Sequence, residues 1–199
     1  MQPAILFSMA GFALASSITP GPVNLVALNS GLRFGGRATL PHVTGATIGF
    51  TLLLALIGLG LAGMLEALPA ARNVIAWSGA LFILWQAVRL WLAPGLDDTE
   101  GAMPQPPLAL QGALMQWLNP KAWMASMAGM SLYGGSGWGQ TALFVALYFV
   151  ICWGALSCWG FAGGWLRHSQ RMPQRLMRHL NRVMAVLLAG CALSIPLLP

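Results

Sequence analysis

Charge is what this chain has least of. Only 7% of its 199 residues are charged while 57% are hydrophobic, against about 25% charged in soluble domains. There is one lysine, Lys121, and all four acids, Glu66, Asp97, Asp98 and Glu100, stand in or beside loop-like segments. A soluble domain is thereby excluded, and so is chemistry that needs paired carboxylates. Cysteine is also scarce: Cys152, Cys158 and Cys191 fall in apolar stretches without a CxxC or a nearby His or acid, and read as small buried packing residues. No HExxH, no Ser/His pair at useful spacing and no metal-ligand cluster occurs, so we expect no enzyme, no cofactor and no metal. A net charge of +6 raises nucleic acid as a partner. The basic residues flank long uncharged runs instead, as cytoplasmic loops of membrane proteins require, and nucleic-acid binding is set aside.

What remains is a membrane protein. A helical span needs roughly 20 mostly apolar residues, and the chain offers six such stretches: residues 4–32, 40–65, 70–92, 110–133, 138–165 and 176–198. With no basic leader and small-residue cleavage site, the first is expected to be retained rather than removed as a signal peptide. Six spans place Arg33, Arg37, Arg89, Arg167, Arg171, Arg175, Arg178 and Arg182 on one side and Arg72 on the other. The positive-inside rule then puts both termini on the non-cytoplasmic side of an inner membrane.

The chain reads as a single transmembrane domain, residues 1–199, divided by a proline-rich loop at 94–109 into repeats of about 1–93 and 110–199. Three spans per repeat make the second enter the membrane inverted, a recurrent transporter plan. The fold class expected is all-α, with two inverted three-helix repeats and broken helices one and four. Ser17-Ile18-Thr19-Pro20-Gly21-Pro22-Val23-Asn24 interrupts span one, and Asn119-Pro120-Lys121-Ala122 interrupts span four. Thr and Asn are good N-caps and proline suits the first helical position, so Thr19-Pro20 and Asn119-Pro120 each read as a helix stopping and restarting. Pro20, Pro22 and Pro120 cannot donate to the carbonyls of Ser16, Ile18 and Gln116. Such freed backbone is tolerated in a bilayer only where it is buried in protein or lines a wet cavity. The alternative is a plain proline kink, common in membrane helices.

Asn119 lies roughly 14 Å along the helix from the start of span four, so Lys121 is deep in the bilayer. A central Lys costs on the order of 3 kcal/mol to insert. Function rather than snorkelling is the reading adopted, with Lys121 as partner of a substrate carboxylate beside the N–H groups of the restarted helix. The candidate substrate-binding set is Thr19, Pro20, Gly21, Pro22, Asn24, Gln116, Asn119, Pro120 and Lys121, with Ser17 a further polar neighbour. His42 is the candidate proton carrier, its alternative being an ordinary interfacial residue. Gly45 with Gly49 and Gly160 with Gly164 form GxxxG pairs for close helix approach. Trp77, Trp138 and Trp165 read as interfacial anchors, and Trp85, Trp117 and Trp123 as deeper packing residues.

TPGPVN in span one, the glycines Gly31, Gly35, Gly45 and Gly49, AWSGALFILWQAVRLWLAP from Ala76, WLNPKAW in span four and LNRVMAVLLAGCAL in span six together resemble the LysE/RhtB family of amino-acid exporters. The resemblance implies a six-helix inner-membrane protein that moves small amino acids or their derivatives outward on the proton gradient, with weight on Thr19 to Pro22 and on Asn119 to Lys121. Several family members carry an aspartate within a span. This chain has none, which removes a carboxylate proton carrier and disfavours cationic substrates. A neutral amino acid of small or medium size is the expected substrate, and whether two copies pair as a homodimer stays open. Other classes weighed are a structural or assembly subunit, a thiol-electron carrier, which would need cysteines at the breaks, and a metal exporter, which would need ligands along the path.

Overall fold

In a computed structural model the described residues are 3–60, 105–134 and 138–168, with isolated helical positions between 74 and 92 and between 178 and 190. They contain helices and turns only, without a strand. Helix α1 (Pro3–Ile18) is followed across a short break by α2 (Pro22–Phe34). A 3₁₀ turn (Gly36–Thr39) leads into α3 (Leu40–Gly58), and then come α4 (Ala109–Trp117), α5 (Pro120–Tyr133) and α6 (Trp138–His168).

Two stretches, Gly36–Gly58 and Trp138–Arg167, are long and apolar enough to cross a bilayer, and the pair α1 and α2, bent by 61°, passes as a third. Helices α4 and α5, at 9 and 14 residues, are each shorter than the roughly 20 residues a crossing needs. The expected spans at 70–92 and 176–198, and Cys191, lie mostly or wholly outside the described residues. Within them Arg182 sits over the Trp91 ring at 5.4 Å, which brings the ends of these two segments together.

The outer surface is apolar: Phe7 is 78% exposed, Val150 69% and Leu132 66%. Patches of that kind suit hydrocarbon rather than water. In lipid no hydrophobic gain accrues from packing helices together, so close backbone approach has to hold them. Glycines supply it. A Cβ at Gly31 would strike the Gly160 carbonyl, and one at Gly163 the Leu28 carbonyl, so α2 crosses α6 on glycine. Helix α3 crosses α4 the same way, Gly45 against Ala109, Gly49 against Ala113, and Gly112 against the His42 carbonyl. Both GxxxG pairs thus act in packing, as expected. Gly35, at φ 89°, is in the left-handed region that turns the chain from α2 into the 3₁₀ segment.

An unbroken series of ring contacts forms the centre. Phe12 meets Tyr133 at 5.7 Å, Tyr133 meets Phe144 at 5.0 Å, Phe144 meets Tyr148 at 5.8 Å, and Tyr148 stacks on Phe50 at 4.5 Å. These offset and edge arrangements are the favoured ones. They tie α1, α3, α5 and α6 into one body and fix the position of Tyr148.

One sequence expectation about packing needs correction. Cys158 is on the exposed face of α6 rather than buried, whereas Cys152 is buried in the core. Trp117 and Trp123 pack as expected but also donate hydrogen bonds, to the carbonyls of Gly49 (3.0 Å) and Trp117 (2.7 Å).

Candidate functional site

The break between α1 and α2 leaves carbonyls without helical partners, and side chains take them. Asn24 Nδ2 donates to the Ser17 carbonyl (2.8 Å), Trp159 Nε1 to that of Ile18 (3.2 Å) and Lys121 Nζ to that of Thr19 (2.5 Å). Unmet acceptors in hydrocarbon would cost several kcal/mol each, and here the sequence provides donors from three helices. The ammonium of Lys121 therefore lies at the C-terminal, negative end of the α1 dipole. Lys121 belongs to the other break. Its contact with Thr19 joins the two interruptions, 102 residues apart in sequence.

The second break is built in a parallel manner. Asn119, in extended conformation, caps α5 by accepting from the Lys121 backbone N–H (3.1 Å), with Pro120 at the first helical position. Trp123 donates back across the break to the Trp117 carbonyl, as Asn24 does to Ser17. In both halves a residue in the restarted helix satisfies the end of the helix before it.

Thr19 does not cap α2, contrary to the sequence reading. Its hydroxyl donates back to the Ala15 carbonyl (2.5 Å), the helix restarts at Pro22, and Gly21 is the N-cap. Two prolines offered two starts, and the second is used. Gly21 eases the approach of Lys121: a Cβ there would lie 3.3 Å from both its Cδ and its Nζ, a tight contact that the lysine side chain would have to relieve.

Four helix ends meet at one cavity of about 30 Å³. Ser16 and Ser17 come from the last turn of α1, Val23 and Asn24 from the first turn of α2, and Gln116 from the end of α4. Asn119 of the break and Lys121 and Ala122 of α5 complete that side. Phe50 of α3 and Tyr148, Cys152 and Leu156 of α6 form the far wall. A volume that small holds about one or two waters, well under the several hundred Å³ of an occupied small-molecule site. As it stands the cavity does not admit an amino acid.

Of the residues singled out in the sequence, Asn24, Gln116, Asn119, Lys121 and Ser17 line this cavity. Thr19 takes part through its carbonyl, and Gly21 by giving Lys121 room. Pro20 is exposed and Pro22 buried, and neither lines it; Pro120 opens α5. His42 stands apart from the cavity. It is fully buried in α3, not interfacial, because Gly112 lets α4 close over its backbone. Among the described residues neither ring nitrogen has a hydrogen-bond partner in place, although the backbone of Val23, a cavity residue, faces it.

The α6 wall was missed. Tyr148 carried a signal: it is one of two tyrosines and lies deep in an uncharged run rather than at an interface, where tyrosine is enriched. Ser16, Phe50 and Cys152 carried none. Among the described residues no group of three His, Cys, Asp or Glu side chains could hold a metal ion.

An ammonium shared between two broken helices beside a small cavity matches the plan of a membrane transporter. The profile of the LysE type translocator family matches residues 14–197, and the chain belongs to that family. It is a membrane translocator, not an enzyme. Curated relatives include the cysteine/O-acetylserine efflux proteins of Escherichia coli strain K12 and Shigella sonnei strain Ss046, each 29% identical over 201 residues, covering 98% of this chain and 99% of theirs. No solved structure matches.

Proposed function

We propose that this protein exports small or medium neutral amino acids or their derivatives across the bacterial inner membrane. The observation that carries the proposal is the convergence of four helix ends and Lys121 on one cavity. The first turns of α2 and α5 bring their positive dipole ends to it, which favours an anion, while the first N–H groups of α5 are themselves held by Asn119. A carboxylate is a stronger acceptor than a peptide carbonyl. Arriving substrate would therefore draw Lys121 from the Thr19 carbonyl, and the cavity has to widen to admit it. The neutral-substrate reading is supported by a lining without a carboxylate. Cysteine and O-acetylserine, named for the relatives, are both amino acids without a charged side chain.

Export against a gradient needs an energy source, and proton antiport is the one adopted, with His42 as the titratable group behind Val23. The inverted repeat is supported by the parallel back-donation at the two breaks, Asn24 to the Ser17 carbonyl and Trp123 to that of Trp117. To test the reading, vesicles containing the protein are loaded with a mixture of amino acids and the efflux of each is followed. Neutral amino acids should leave faster than from empty vesicles, lysine and glutamate should not, and collapsing the proton gradient should slow the exit. Efflux equal to that of empty vesicles for every amino acid would sink the proposal.

The termini are proposed to lie on the non-cytoplasmic side, with the loop after α6 in the cytoplasm. Gly35, after α2, comes within 3.9 Å of Arg167 if given a side chain, so the two arginine-bearing helix ends share a side. Reporters fused after Arg171 are expected to register as cytoplasmic and those at the C-terminus as external. The reverse pattern would refute the orientation.

A further inference from the structure

The cavity is too small for an amino acid, so loading and release each need a barrier that parts. Its two ends are shut by different means. Toward the C-terminal ends of α2 and α6 the helices meet on backbone, Gly31 against the Gly160 carbonyl, while a Cβ at Gly164 would lie 2.6 Å from the Gly36 nitrogen. That seam opens only if whole helices separate. Toward the start of α1 and of α6 and the end of α5, the barrier is a layer of rings: Phe12 meets Tyr133, Tyr133 meets Phe144, and Phe144 meets Tyr148 of the cavity wall. The nearest atoms to a Cβ at Gly129 of α5 are ring carbons, of Phe144 at 3.0 Å and of Phe12 at 3.1 Å, so α5 is fitted there against side chains. Rings can change rotamer without breaking a helical hydrogen bond.

A polar contact fastens this layer at its exposed edge. The Tyr133 hydroxyl donates to the Ser8 carbonyl (3.2 Å) and lies 2.7 Å from Ser8 Oγ. With the tyrosine proton spent on the carbonyl, the serine proton bridges the two hydroxyls. The helices so joined are also the ones that can swing. Helix α1 ends at the break where the chain bends by 61°, and α5 begins at the break capped by Asn119. Hinges of this kind fall at element ends.

We propose that Phe12, Tyr133 and Phe144 form the gate through which substrate leaves the cavity, and that the bond of Tyr133 to Ser8 is its latch. The inference rests on the export reading and on the orientation proposed above, which makes this the external face. For release the latch breaks, α1 and α5 tilt apart about their breaks, and the glycine seam of α2 and α6 stays shut. The cavity then opens to one side at a time.

Cys152, on the cavity wall, reports the state of the gate. In the full chain carrying Cys158→Ser and Cys191→Ser it is the single thiol. Its rate of reaction with a membrane-impermeant methanethiosulfonate is measured in spheroplasts, where the reagent meets the outer face, and in inverted vesicles, where it meets the inner one. A hydrogen bond between helices in a membrane shifts such an equilibrium by roughly threefold. Ser8→Ala, which removes one bond, is expected to raise the outer rate about threefold, and Tyr133→Phe, which removes both, about ninefold, with the inner rate unchanged. An outer rate that neither variant raises, or a rise as large or larger from the inner face, would overturn the gate. Labelling needs no substrate, so the export reading is decided separately, by efflux.

Discussion

Lys121→Ala is expected to remove export, lowering the rate by about thirtyfold or more at an unchanged amount of protein in the membrane. Breaking one partner from a buried, hydrogen-bonded charge pair costs about 2–5 kcal/mol, and each 1.4 kcal/mol is about tenfold. The side chain has a second duty, capping Thr19 at the end of α1. Lys121→Met keeps the stem packed beside Gly21 while removing the charge, and it should fail in transport as alanine does. Lys121→Arg should recover little, because a planar fork does not replace a compact ammonium in the space that Gly21 leaves. The measurement is efflux normalised to membrane-inserted protein. Transport by the methionine variant near the normal rate would show that the ammonium is not the carboxylate's partner.

The sequence disclosed the breaks more fully than it disclosed the cavity they border. Proline and asparagine write their effects locally: a missing N–H at Pro22 or Pro120 and a cap at Asn119 depend on residues a few positions away. A lone lysine in an uncharged run is costly in lipid wherever the chain goes, so Lys121 was legible without knowing its partner. The Thr19 misassignment shows where local logic stops. Thr19-Pro20 and Gly21-Pro22 are both acceptable starts, and the choice between them follows from the approach of Lys121, set by tertiary contact.

The α6 wall was harder for a different reason. Helix α6 is apolar on every side, so no periodicity in it marks the face turned inward. That face is selected by where the glycines of α2 and α6 let the helices meet, and Tyr148 and Cys152 follow by register from Gly160 and Gly163. The same property that hid the site ties its geometry to the glycine contacts. Moving α6 relative to α2 moves Tyr148 relative to Asn24.

Gly163→Ala is accordingly expected to be among the most damaging single-methyl changes in the described part of the chain. The added Cβ would press into the Leu28 carbonyl and within 2.9 Å of the Leu32 nitrogen, both backbone atoms that cannot rotate away. Inserting a methyl into a closed contact costs about 1–3 kcal/mol, and in lipid no hydrophobic gain offsets helices that have to separate. Gly154→Ala, on the same helix, is the control. No described atom lies within 4 Å of a Cβ there, and alanine improves helix stability by roughly 0.5–1 kcal/mol. Thermal unfolding in detergent should show Gly163→Ala melting lower than the unaltered protein and Gly154→Ala at or above it. Should the two variants melt alike, α2 and α6 do not cross on glycine, and the placement of Tyr148 and Cys152 on the cavity wall loses its support.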